Sequence, residues 1–474
     1  MRVVNASFRD TAMYWWSNIA VPTVDGACVV VPADEAYTPV DGATTIVPVP
    51  VRNGVDVTYP QNNPVSVDYF FKTDKRGLGY TCQLDREGYG LFEASTSRLQ
   101  GRKIFVWGQG PGGRKWQEYL SGRGHNGQYC EIQCGLAHTQ GECLPMPPAT
   151  AWEWLEIYGP LQADPNKVHS DQWSEARGAV AGAIKDLMSA EALEQMLIDT
   201  RAMALTKADR MLNMGAGWGA LENLRRVKAG LDAMCPHLDF GQTGVAQQPW
   251  VSLLEKGTMG AQDATQAPVS WMRQPEWTIL MENAVKHADR DNWYTLLQLG
   301  CAWLAEPDTM RADYYLSRSL AAKKTAWGMY AMAELRRVMG DDAEAANMMI
   351  AAADMAPDDD SLAKAAAGML HQIKEYETLA RFAKSRPQNV QALPRIRLFA
   401  AFAEASLGRY TQAETLLRPD GEWLEVPDIR EGEISLSDLW YLIEEGKAHR
   451  ENRPYDRSQH SPPYALDFRM FAVK

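Results

Sequence analysis

Hydrophobic and polar residues alternate in short runs through the first third of the chain. Such alternation is typical of strands with one buried and one solvent-facing side. Turn residues separate the runs, since residues 1–165 hold 13 of the 26 Pro and 18 of the 36 Gly. Short strands joined by turns predict an antiparallel β-sandwich rather than a βαβ sheet. The predicted strands are Ala27–Val31, Thr44–Val51, Val67–Phe71, Leu78–Leu84, Gly90–Ala94, Lys103–Trp107, Tyr129–Cys134 and Trp152–Tyr158.

Helical periodicity replaces this alternation after about residue 171. Ala, Leu and Met recur at helical spacing in Ser174–Leu187, Glu191–Met214 and Leu221–Leu231, and a connector rich in Pro, Gly and Gln follows over residues 236–275. Because these helices follow the strands directly, we expect them to pack on the β-domain and cover an apolar face. The methionines expected in that contact are Met188, Met196, Met203, Met211 and Met214.

A repeat is present in the last part of the chain. Gly340, Lys374 and Gly408 each precede a predicted second helix, and they are spaced by 34 and 34 residues. This spacing is the period of the tetratricopeptide repeat, a helical hairpin that stacks into a solenoid. Ala345 and Ala413 are equivalent under this period, so both are expected to be buried where paired helices touch. The alternative is a helical bundle with accidental spacing.

These patterns predict an α+β multidomain protein of 474 residues. Residues 1–165 are expected to form an antiparallel β-sandwich. Residues 166–290 are expected to form a helical segment and a connector that pack on the sandwich. Residues 291–474 are expected to form an all-α solenoid of tetratricopeptide-like repeats.

The charge and apolar content of the chain disfavour nucleic acid and membrane as partners. Lys and Arg number 48 against 60 Asp and Glu, so the formal net charge is −12 and the sequence pI is about 5.3. An acidic chain without a basic run is not expected to bind nucleic acid. No apolar run approaches roughly 18 residues, so no membrane span is expected. The scattered cysteines and the polar first ten residues favour a cytoplasmic location.

Two motifs suggest cofactors, but neither fits the required geometry. Residues 108–113 satisfy G-x-G-x-x-G after a predicted strand, yet Arg114–Leu120 is too short for the crossover helix of a dinucleotide site. Cys130 and Cys134 lie in one predicted strand, about 13 Å apart by the strand rise, which is too far for two ligands of one zinc ion. We therefore expect no cofactor and no metal.

The strand Tyr129–Cys134 carries the first candidate for chemistry. Alternation places Glu131 and Gln133 on one face, whereas the two cysteines lie on the other. Burying the apolar set directs the polar set outward. A carboxylate and an amide on one strand face can bind the hydroxyls of a sugar, and the carboxylate can act as a general acid or base. A solvated outer face is the alternative.

The stretch Trp152–Tyr158 is predicted as a second strand of this kind, with Trp154 and Glu156 on the same face. Indole rings cover the apolar face of a sugar while polar groups bind its hydroxyls, so this pattern is typical of a carbohydrate site. Packing within the sandwich is the alternative for these tryptophans. Adjacent Trp15 and Trp16 in a strand must face opposite sides, so at most one of them serves the core.

A charged turn near the C-terminus is the last candidate. Residues 428–433 read Asp-Ile-Arg-Glu-Gly-Glu, and they precede a helix that Ser435 and Asp438 open as a variant capping box. The cluster is interpreted either as a functional edge of the solenoid or as a salt-bridged, solvated turn.

Several stretches together resemble a bacterial family in which a domain of unknown function is fused to tetratricopeptide repeats. They are Met13–Ala20, Val106–Gly113 with Trp116-Gln117, Tyr129–Ala137, Thr139-Gln140, Trp154–Glu156 with Tyr158–Pro160, and Asp428–Glu433. The resemblance implies a β-domain similar to the galactose-mutarotase superfamily, a large antiparallel sandwich that binds carbohydrate. In that superfamily a Cys-Leu-Glu-Thr-Gln strand carries the catalytic glutamate. Glu131 and Gln133 match the Glu and Gln of that strand.

The sequence departs from the superfamily in two ways. Mutarotases also carry an Asn-His motif whose histidine donates a proton to the ring oxygen. No Asn-His pair occurs in this sequence, and His125 and His138 flank Glu131 without matching that motif. Members of the family usually extend further upstream, so this chain is expected to be a truncated or short member.

From these observations we expect a carbohydrate-active protein that binds a sugar or an oligosaccharide in the β-sandwich. Glu131 and Glu156 are the predicted catalytic carboxylates, and glycoside cleavage and ring-opening isomerisation both remain open. The alternative is a non-catalytic scaffold that binds carbohydrate or protein, with a protein partner on the helical repeats. The predicted ligand-binding residues are Gln133, Trp107, Trp154, Trp16 and Gln140.

Overall fold

The computed structural model describes residues 1–40, 42–73, 77–122, 127–269 and 272–470. Within these ranges the chain divides into two compact units. The first unit comprises Met1–Thr206 with the chain from Arg457 onward, and the second comprises Lys207–Asp456. The segment 166–290 is therefore divided, because residues up to 206 belong with the strands and residues from 207 onward with the helical repeats.

The first unit is built mainly from strands. In the described residues they are β1 (Arg2–Asn5), β2 (Thr11–Met13), β3 (Trp16–Pro22), β4 (Cys28–Val30), β5 (Glu35–Val40), β6 (Ala43–Pro48), β7 (Val51–Arg52), β8 (Val55–Asp56), β9 (Val67–Phe71), β10 (Gly79–Leu84), β11 (Tyr89–Ser95), β12 (Gly101–Val106), β13 (Tyr129–Gly135), β14 (Leu144–Met146), β15 (Thr150–Glu153) and β16 (Glu156–Gln162). The predicted strand Trp152–Tyr158 is wrong as a single element, because it is divided between β15 and β16 at Trp154 and Leu155.

The strands pair into two main antiparallel sheets. The first has the order β3-β13-β12-β9-β5-β6, and the second has the order β16-β11-β10-β4. The short pairs β1-β15, β2-β14 and β7-β8 lie outside these sheets. The predicted fold class, antiparallel β-structure followed by a helical solenoid, is confirmed.

Helices of the first unit are α1 (Pro111–Ser121), α2 (Pro165–Val168), α3 (Trp173–Leu187) and α4 (Ala190–Ala204). Helix α1 connects β12 to β13, and these two strands pair antiparallel. A βαβ unit joins parallel strands, so the glycine-rich turn at residues 108–113 is not a dinucleotide-binding crossover. Gly108 has a φ of 86°, a conformation that favours glycine.

Two apolar layers stabilise the first unit. Val29 and Val31 point toward the six-stranded sheet and pack with buried Ile104 and Ile132. The alternating residues of β4 point the other way, and that layer packs against Val180 and other buried residues of α3. The four-stranded sheet is therefore covered on both faces, whereas one face of the six-stranded sheet is left for other contacts.

Helices α3 and α4 pack on the strands, but not through the expected methionines. Val180 and Ile184 of α3 are buried at 0% and 2% exposure, whereas Met196 and Met203 of α4 are exposed at 39% and 72%. Helix α4 is held instead by buried Leu193 and by polar contacts of its outer residues. The expectation of a methionine-covered sheet is wrong because Val180 and Ile184 of α3 fill that layer together with aliphatic and aromatic side chains of the strands.

The described residues of the second unit form helices and connecting segments, with no strand among them. Its helices are α5 (Trp218–Lys228), α6 (Gln248–Lys256), α7 (Pro275–Lys286), α8 (Trp293–Ala305), α9 (Thr309–Ala322), α10 (Ala326–Val338), α11 (Asp342–Met355), α12 (Asp360–Gln372), α13 (Tyr376–Ser385), α14 (Gln388–Gln391), α15 (Pro394–Ser406), α16 (Tyr410–Leu417) and α17 (Leu436–Arg450).

Four successive hairpins, α8–α9, α10–α11, α12–α13 and α15–α16, repeat along the described part of this unit. The same position of the second helix is buried in each of them. Ala345 in α11 and Ala413 in α16 are both 0% exposed, as the sequence predicts, and Ala312 and Leu379 occupy the equivalent places at 0%. A regular period and a shared buried position define tetratricopeptide-like repeats.

The turns inside the last three hairpins share one backbone conformation. Gly340, Lys374 and Gly408 all have positive φ angles, of 80°, 62° and 74°. In each turn the following amide donates a hydrogen bond to the carbonyl five residues back, as in Asp341 N to Arg336 O at 2.9 Å. This is the Schellman arrangement that ends a helix, which explains why the anchors recur at a fixed spacing.

The end of the described chain returns to the first unit. Phe468 is 6% exposed and packs edge-on against Trp116 and Tyr119 of α1, with ring centroids 5.1 and 5.5 Å away. Its carbonyl accepts a hydrogen bond from Trp116 Nε1 at 3.0 Å. Met470 O accepts another from Ser66 N. This segment therefore holds α1 against the β-domain.

Candidate functional site

Strand β13 separates polar and apolar side chains as the sequence predicts. Cys130, Ile132 and Cys134 are 0%, 1% and 0% exposed and point into the layer between the sheets. Glu131 and Gln133 lie on the opposite, outer face of the six-stranded sheet. Burial raises the pKa of the Cys130 thiol to about 12, so this thiol is not a nucleophile near neutral pH.

A chain of hydrogen bonds crosses the outer face of the six-stranded sheet. The Glu131 carboxylate accepts from Asn18 Nδ2 at 2.6 Å and from Gln133 Nε2 at 2.9 Å. Gln133 in turn accepts from Gln140 Nε2 at 2.7 Å. Lys103 Nζ donates to Gln140 Oε1 at 2.7 Å. The two amide donors fix the orientation of the Glu131 carboxylate, which is half-buried.

The polar chain ends in an ion pair above aromatic rings. Lys103 Nζ lies 2.6 Å from Asp68 Oδ1. The same ammonium lies 5.1 Å from the ring centroid of Phe70 and 5.4 Å from that of Phe105. Lys103 is 4% exposed, so its charge is compensated by the carboxylate and by the two ring faces rather than by water.

Trp16 is placed on this face by two glycines. A Cβ atom at Gly135 would lie 2.3 Å from Trp16 Cδ2, and one at Gly101 would lie 2.5 Å from Trp16 Cη2. The indole therefore lies flat over strands β13 and β12, partly open to solvent. Trp15 points the other way and lies 4.9 Å from Trp154, so the two adjacent tryptophans divide between the two sides as expected.

An open groove of about 670 Å³ lies beside Glu131. The C-terminal end of α1 forms one wall through Leu120 and Ser121. Strands β3 and β13 form the floor. Its other lining residues are Asn18, Ala20, Pro22, Gly127, Gln128 and Tyr129. The groove thus presents the oriented Glu131 carboxylate, the amides of Asn18 and Gln128 and the phenol of Tyr129 to a ligand.

Glu156 does not lie with Glu131. In β16 it shares a face with Tyr158, which pairs with Glu93 in the layer between the sheets. Its carboxylate lies within 4.8 Å of the ligand atoms of Glu93 and Cys134. Since Cys134 and Glu131 point to opposite faces of β13, the two predicted catalytic carboxylates cannot flank one substrate. The prediction of this pair is wrong.

Two of the predicted stacking tryptophans are buried. Trp154 is 0% exposed in a cluster with Leu99, Cys134 and Leu136, on the side away from Glu131. Trp107 is 4% exposed; it stacks on Trp116 of α1 at 6.0 Å and lies 6.3 Å from Tyr129. Trp154 is therefore a core residue, and Trp107 supports the groove wall from beneath. The expectation that these two rings form the stacking walls of a sugar pocket is wrong, because both are buried.

Gln133 and Gln140 support Glu131 through successive hydrogen bonds. Gln133 is 5% exposed, and its side chain is engaged by both Glu131 and Gln140. The structure gives both residues a place in the network that orients the carboxylate. Ligand contact through Gln133 and Gln140 remains a prediction, as it does for Trp16. Of the flanking histidines, His138 is half-buried, and His125 lies outside the described residues.

The structure adds Asn18, Lys103 and Asp68 to the site. Each lies on the outer face because cross-strand register aligns it there: Asn18 pairs with Gln133, and Lys103 pairs with Gln133 from the other side. Asp68 and Glu131 both pair with Phe105 of the intervening strand. Alternation within Lys103–Trp107 signals the side of Lys103, but only strand order brings these residues together.

A second charged cluster is buried between the sheets. Glu93 is 0% exposed, and its Oε2 lies 3.4 Å from Nε of Arg102, which is 1% exposed. Burial raises the pKa of Glu93 to about 7; Arg102 opposes this and Glu156 adds to it. Arg102 Nη1 also donates to Cys134 Sγ at 2.7 Å. Arg102 thus supplies a compensating positive charge to this buried cluster.

Together these features define a class: an antiparallel β-domain with a polar and aromatic outer sheet face, followed by tetratricopeptide-like repeats. Residues 3–146 match the model of a domain of unknown function, DUF5107. The expectation of such a domain fused to tetratricopeptide repeats is confirmed. The mutarotase part of the resemblance stays a prediction.

A solved structure shares this architecture. The crystal structure of a TPR-domain containing protein from Parabacteroides distasonis is similar over 98% of this chain and 69% of that chain, with a TM-score of 0.59 and 14% sequence identity. The likeness extends to the fold alone.

Two further structures match a smaller part of the chain. A tetratricopeptide repeat protein from Parabacteroides merdae matches 38% of this chain and 71% of its own, at 15% identity and a TM-score of 0.28. Pseudomonas aeruginosa pilF matches 37% of this chain and 78% of its own, at 13% identity and a TM-score of 0.28. TM-scores this low do not indicate a shared overall fold. Among the described residues no helix has the length and apolarity to cross a membrane.

Proposed function

We propose that the protein is a non-catalytic binding scaffold. Its β-domain binds carbohydrate at the groove beside Glu131, and its helical repeats bind a protein partner. The observation that carries the first part is the oriented Glu131 carboxylate in an open groove whose lining includes the partly exposed ring of Tyr129. The second part follows from the stacked hairpins, since solenoids of this kind present extended surfaces to partners.

The chemistry of the groove suits a polyhydroxylated ligand. Glu131 can accept sugar hydroxyls on the lone pairs that Asn18 and Gln133 leave unused. Charge-assisted hydrogen bonds of this type are among the stronger polar contacts. Tyr129 in the groove offers flat apolar surface with a polar edge, which matches the C–H face of a sugar ring, and Trp16 offers the same further along the same sheet face.

A glycan microarray followed by calorimetric titration tests the carbohydrate part. Wild-type protein is expected to bind a defined subset of glycans, and Glu131→Gln is expected to weaken that binding at least tenfold, about 1.4 kcal/mol. The matched control is Glu156→Gln, which changes a carboxylate on the other side of the sheet and should leave affinity unchanged. Retention of full affinity by Glu131→Gln would refute the assignment of this groove.

Catalysis by Glu131 is the second candidate function, either glycoside cleavage or ring-opening isomerisation. Strand register favours Asp68 rather than Glu156 as the second carboxylate. Asp68 lies on the same sheet face as Glu131, and Phe105 of the intervening strand lies between them. Two strand spacings separate their backbones by about 10 Å, and pairs of catalytic carboxyls lie about 5–9.5 Å apart. Turnover of aryl glycosides and polarimetry of fresh sugar solutions test this candidate; activity in wild type lost in both Glu131→Gln and Asp68→Asn would support it.

A further inference from the structure

A segment of the second unit lies across two of the repeat helices. Residues 424–434 join the α16 region to α17 without forming a helix or strand. Leu424, Val426 and Ile429 of this segment are 4%, 3% and 4% exposed. Ile434 packs against the apolar core of the repeats. The acidic turn at residues 428–433 is thus anchored by aliphatic side chains on both sides, while residues 430–433 are exposed to solvent.

Asp428 bridges the first helices of two successive hairpins. Its Oδ1 lies 3.1 Å from Nε of Arg395 in α15, and its Oδ2 lies 3.9 Å from Nζ of Lys364 in α12. Arg395 also donates to the backbone carbonyl of Asp428. Its Nη1 lies 3.0 Å from Glu433 Oε2. Buried Arg395 therefore pairs with both Asp428 and Glu433, and Lys364 of the neighbouring repeat adds a weaker attraction.

The two sides of this contact differ in burial. Arg395 is 9% exposed in its side chain, whereas Asp428 and Glu433 are each 43% exposed and Lys364 is 39% exposed. The Asp428–Lys364 pair has two partly exposed partners and contributes little net free energy, so the pairs made by Arg395 dominate the polar contact. The buried arginine and the aliphatic sites belong to a binding surface that needs an occupant, because a buried charge left unpaired is costly.

We propose that residues 424–434 are an internal ligand of the partner-binding surface on α12 and α15. A partner that binds there is an extended acidic peptide with an aliphatic residue beside its acid, and it binds by displacing this segment. This inference rests on the proposed role of the repeats in binding a protein. It adds where the partner binds, what chemistry it carries, and why the surface is closed in the free protein.

A labelled synthetic peptide of residues 424–434, titrated by fluorescence anisotropy into the full-length protein, tests the inference. Wild type is expected to bind it weakly. The double variant Asp428→Asn/Glu433→Gln weakens the internal contacts with near-isosteric amides, so it should bind the peptide at least tenfold more tightly. Adding Lys364→Gln should reduce that gain. A control peptide with Asn in place of the aspartate should bind the double variant at least tenfold more weakly than the acidic peptide.

Hydrogen exchange provides the second readout. Amides of residues 424–434 should exchange faster in Asp428→Asn/Glu433→Gln, which weakens both ion pairs of buried Arg395, while amides in the middle of α12 and α15 keep their protection. Equal peptide affinity in wild type and the double variant, or unchanged exchange of the segment in the double variant, would overturn the inference. Neither readout needs a cellular partner, so displacement of the segment can be established even if no protein is found to bind the repeats.

Discussion

Titration of the Glu93 carboxyl group should change the stability of the first unit. This group is buried between the sheets, and its pKa in the folded protein is about 7, mainly because of burial, against an ordinary value of 4.5. The folded protein therefore holds this proton at pH values where the unfolded chain has released it. The stability contributed by protonated Glu93 is fully present below about pH 4.5 and is lost as pH rises through about 7.

We predict a difference in pH profile between wild type and Glu93→Gln. The free energy of unfolding of wild type should fall relative to the variant by up to about 3 kcal/mol between pH 4.5 and pH 8, because the glutamine does not titrate. Urea unfolding of the two proteins at several pH values measures this slope. Parallel profiles would show that Glu93 ionises in the folded protein as freely as in the unfolded chain.

For whole elements, the sequence predicts which face of a strand is buried better than it predicts which strands pair with each other. Alternation within Tyr129–Cys134 assigns Glu131 to the outer face and the cysteines to the interior, because burying one set forces the other outward. The same logic misplaces Trp154 and Glu156, since the strand predicted through them is interrupted at Trp154 and Leu155. Asn18 and Asp68 could not be predicted as site residues, because strand order and register come from long-range pairing.

The helical repeats are easier to predict, since their signals are local. A glycine or lysine at a fixed spacing marks the left-handed residue that ends the first helix of the last three hairpins. A buried alanine or leucine three residues after the start of each second helix marks the contact between paired helices. The acidic segment at residues 428–433 is a different case. Its composition suggests a solvated turn, and residues 430–433 are exposed, but buried Ile429 and the ion pairs of buried Arg395 also hold the segment to the repeats.

The turn between α12 and α13 carries the one lysine among these three left-handed positions. A side chain in that conformation costs about 1 kcal/mol relative to glycine. We predict that Lys374→Gly raises the free energy of unfolding of the second unit by about 1 kcal/mol. The matched change, Gly340→Lys, should lower it by a similar amount, since a Cβ there meets open space and only the backbone is strained. Urea titrations followed by helical circular dichroism measure both, and a stabilising Gly340→Lys would contradict the account.

At the scale of the whole molecule, the first unit is closed by residues remote in sequence. Phe468 lies against Trp116 and Tyr119 of α1, and α1 forms a wall of the groove beside Glu131. The integrity of the candidate site therefore depends on the chain beyond residue 457 as well as on the strands.

We predict that Phe468→Ala destabilises the first unit by about 3 kcal/mol, the usual cost of removing a buried phenylalanine ring. Hydrogen exchange should show α1 losing protection, while the helices of the second unit keep theirs. The control is Phe8→Ala, because Phe8 is 74% exposed and its truncation should change stability by less than about 0.5 kcal/mol. Equal effects of the two substitutions would remove the structural role assigned to Phe468.

The central claim is that the outer face of the six-stranded sheet binds carbohydrate around Glu131. Hydrogen exchange of the full-length protein with and without a saturating glycan from the microarray tests this most directly. The account predicts added protection in Trp16–Pro22 and Tyr129–Gly135, which carry Asn18, Trp16 and Glu131, and none in Glu156–Gln162. Protection confined to Glu156–Gln162 or to the helical repeats, or the absence of any glycan that binds, would contradict it.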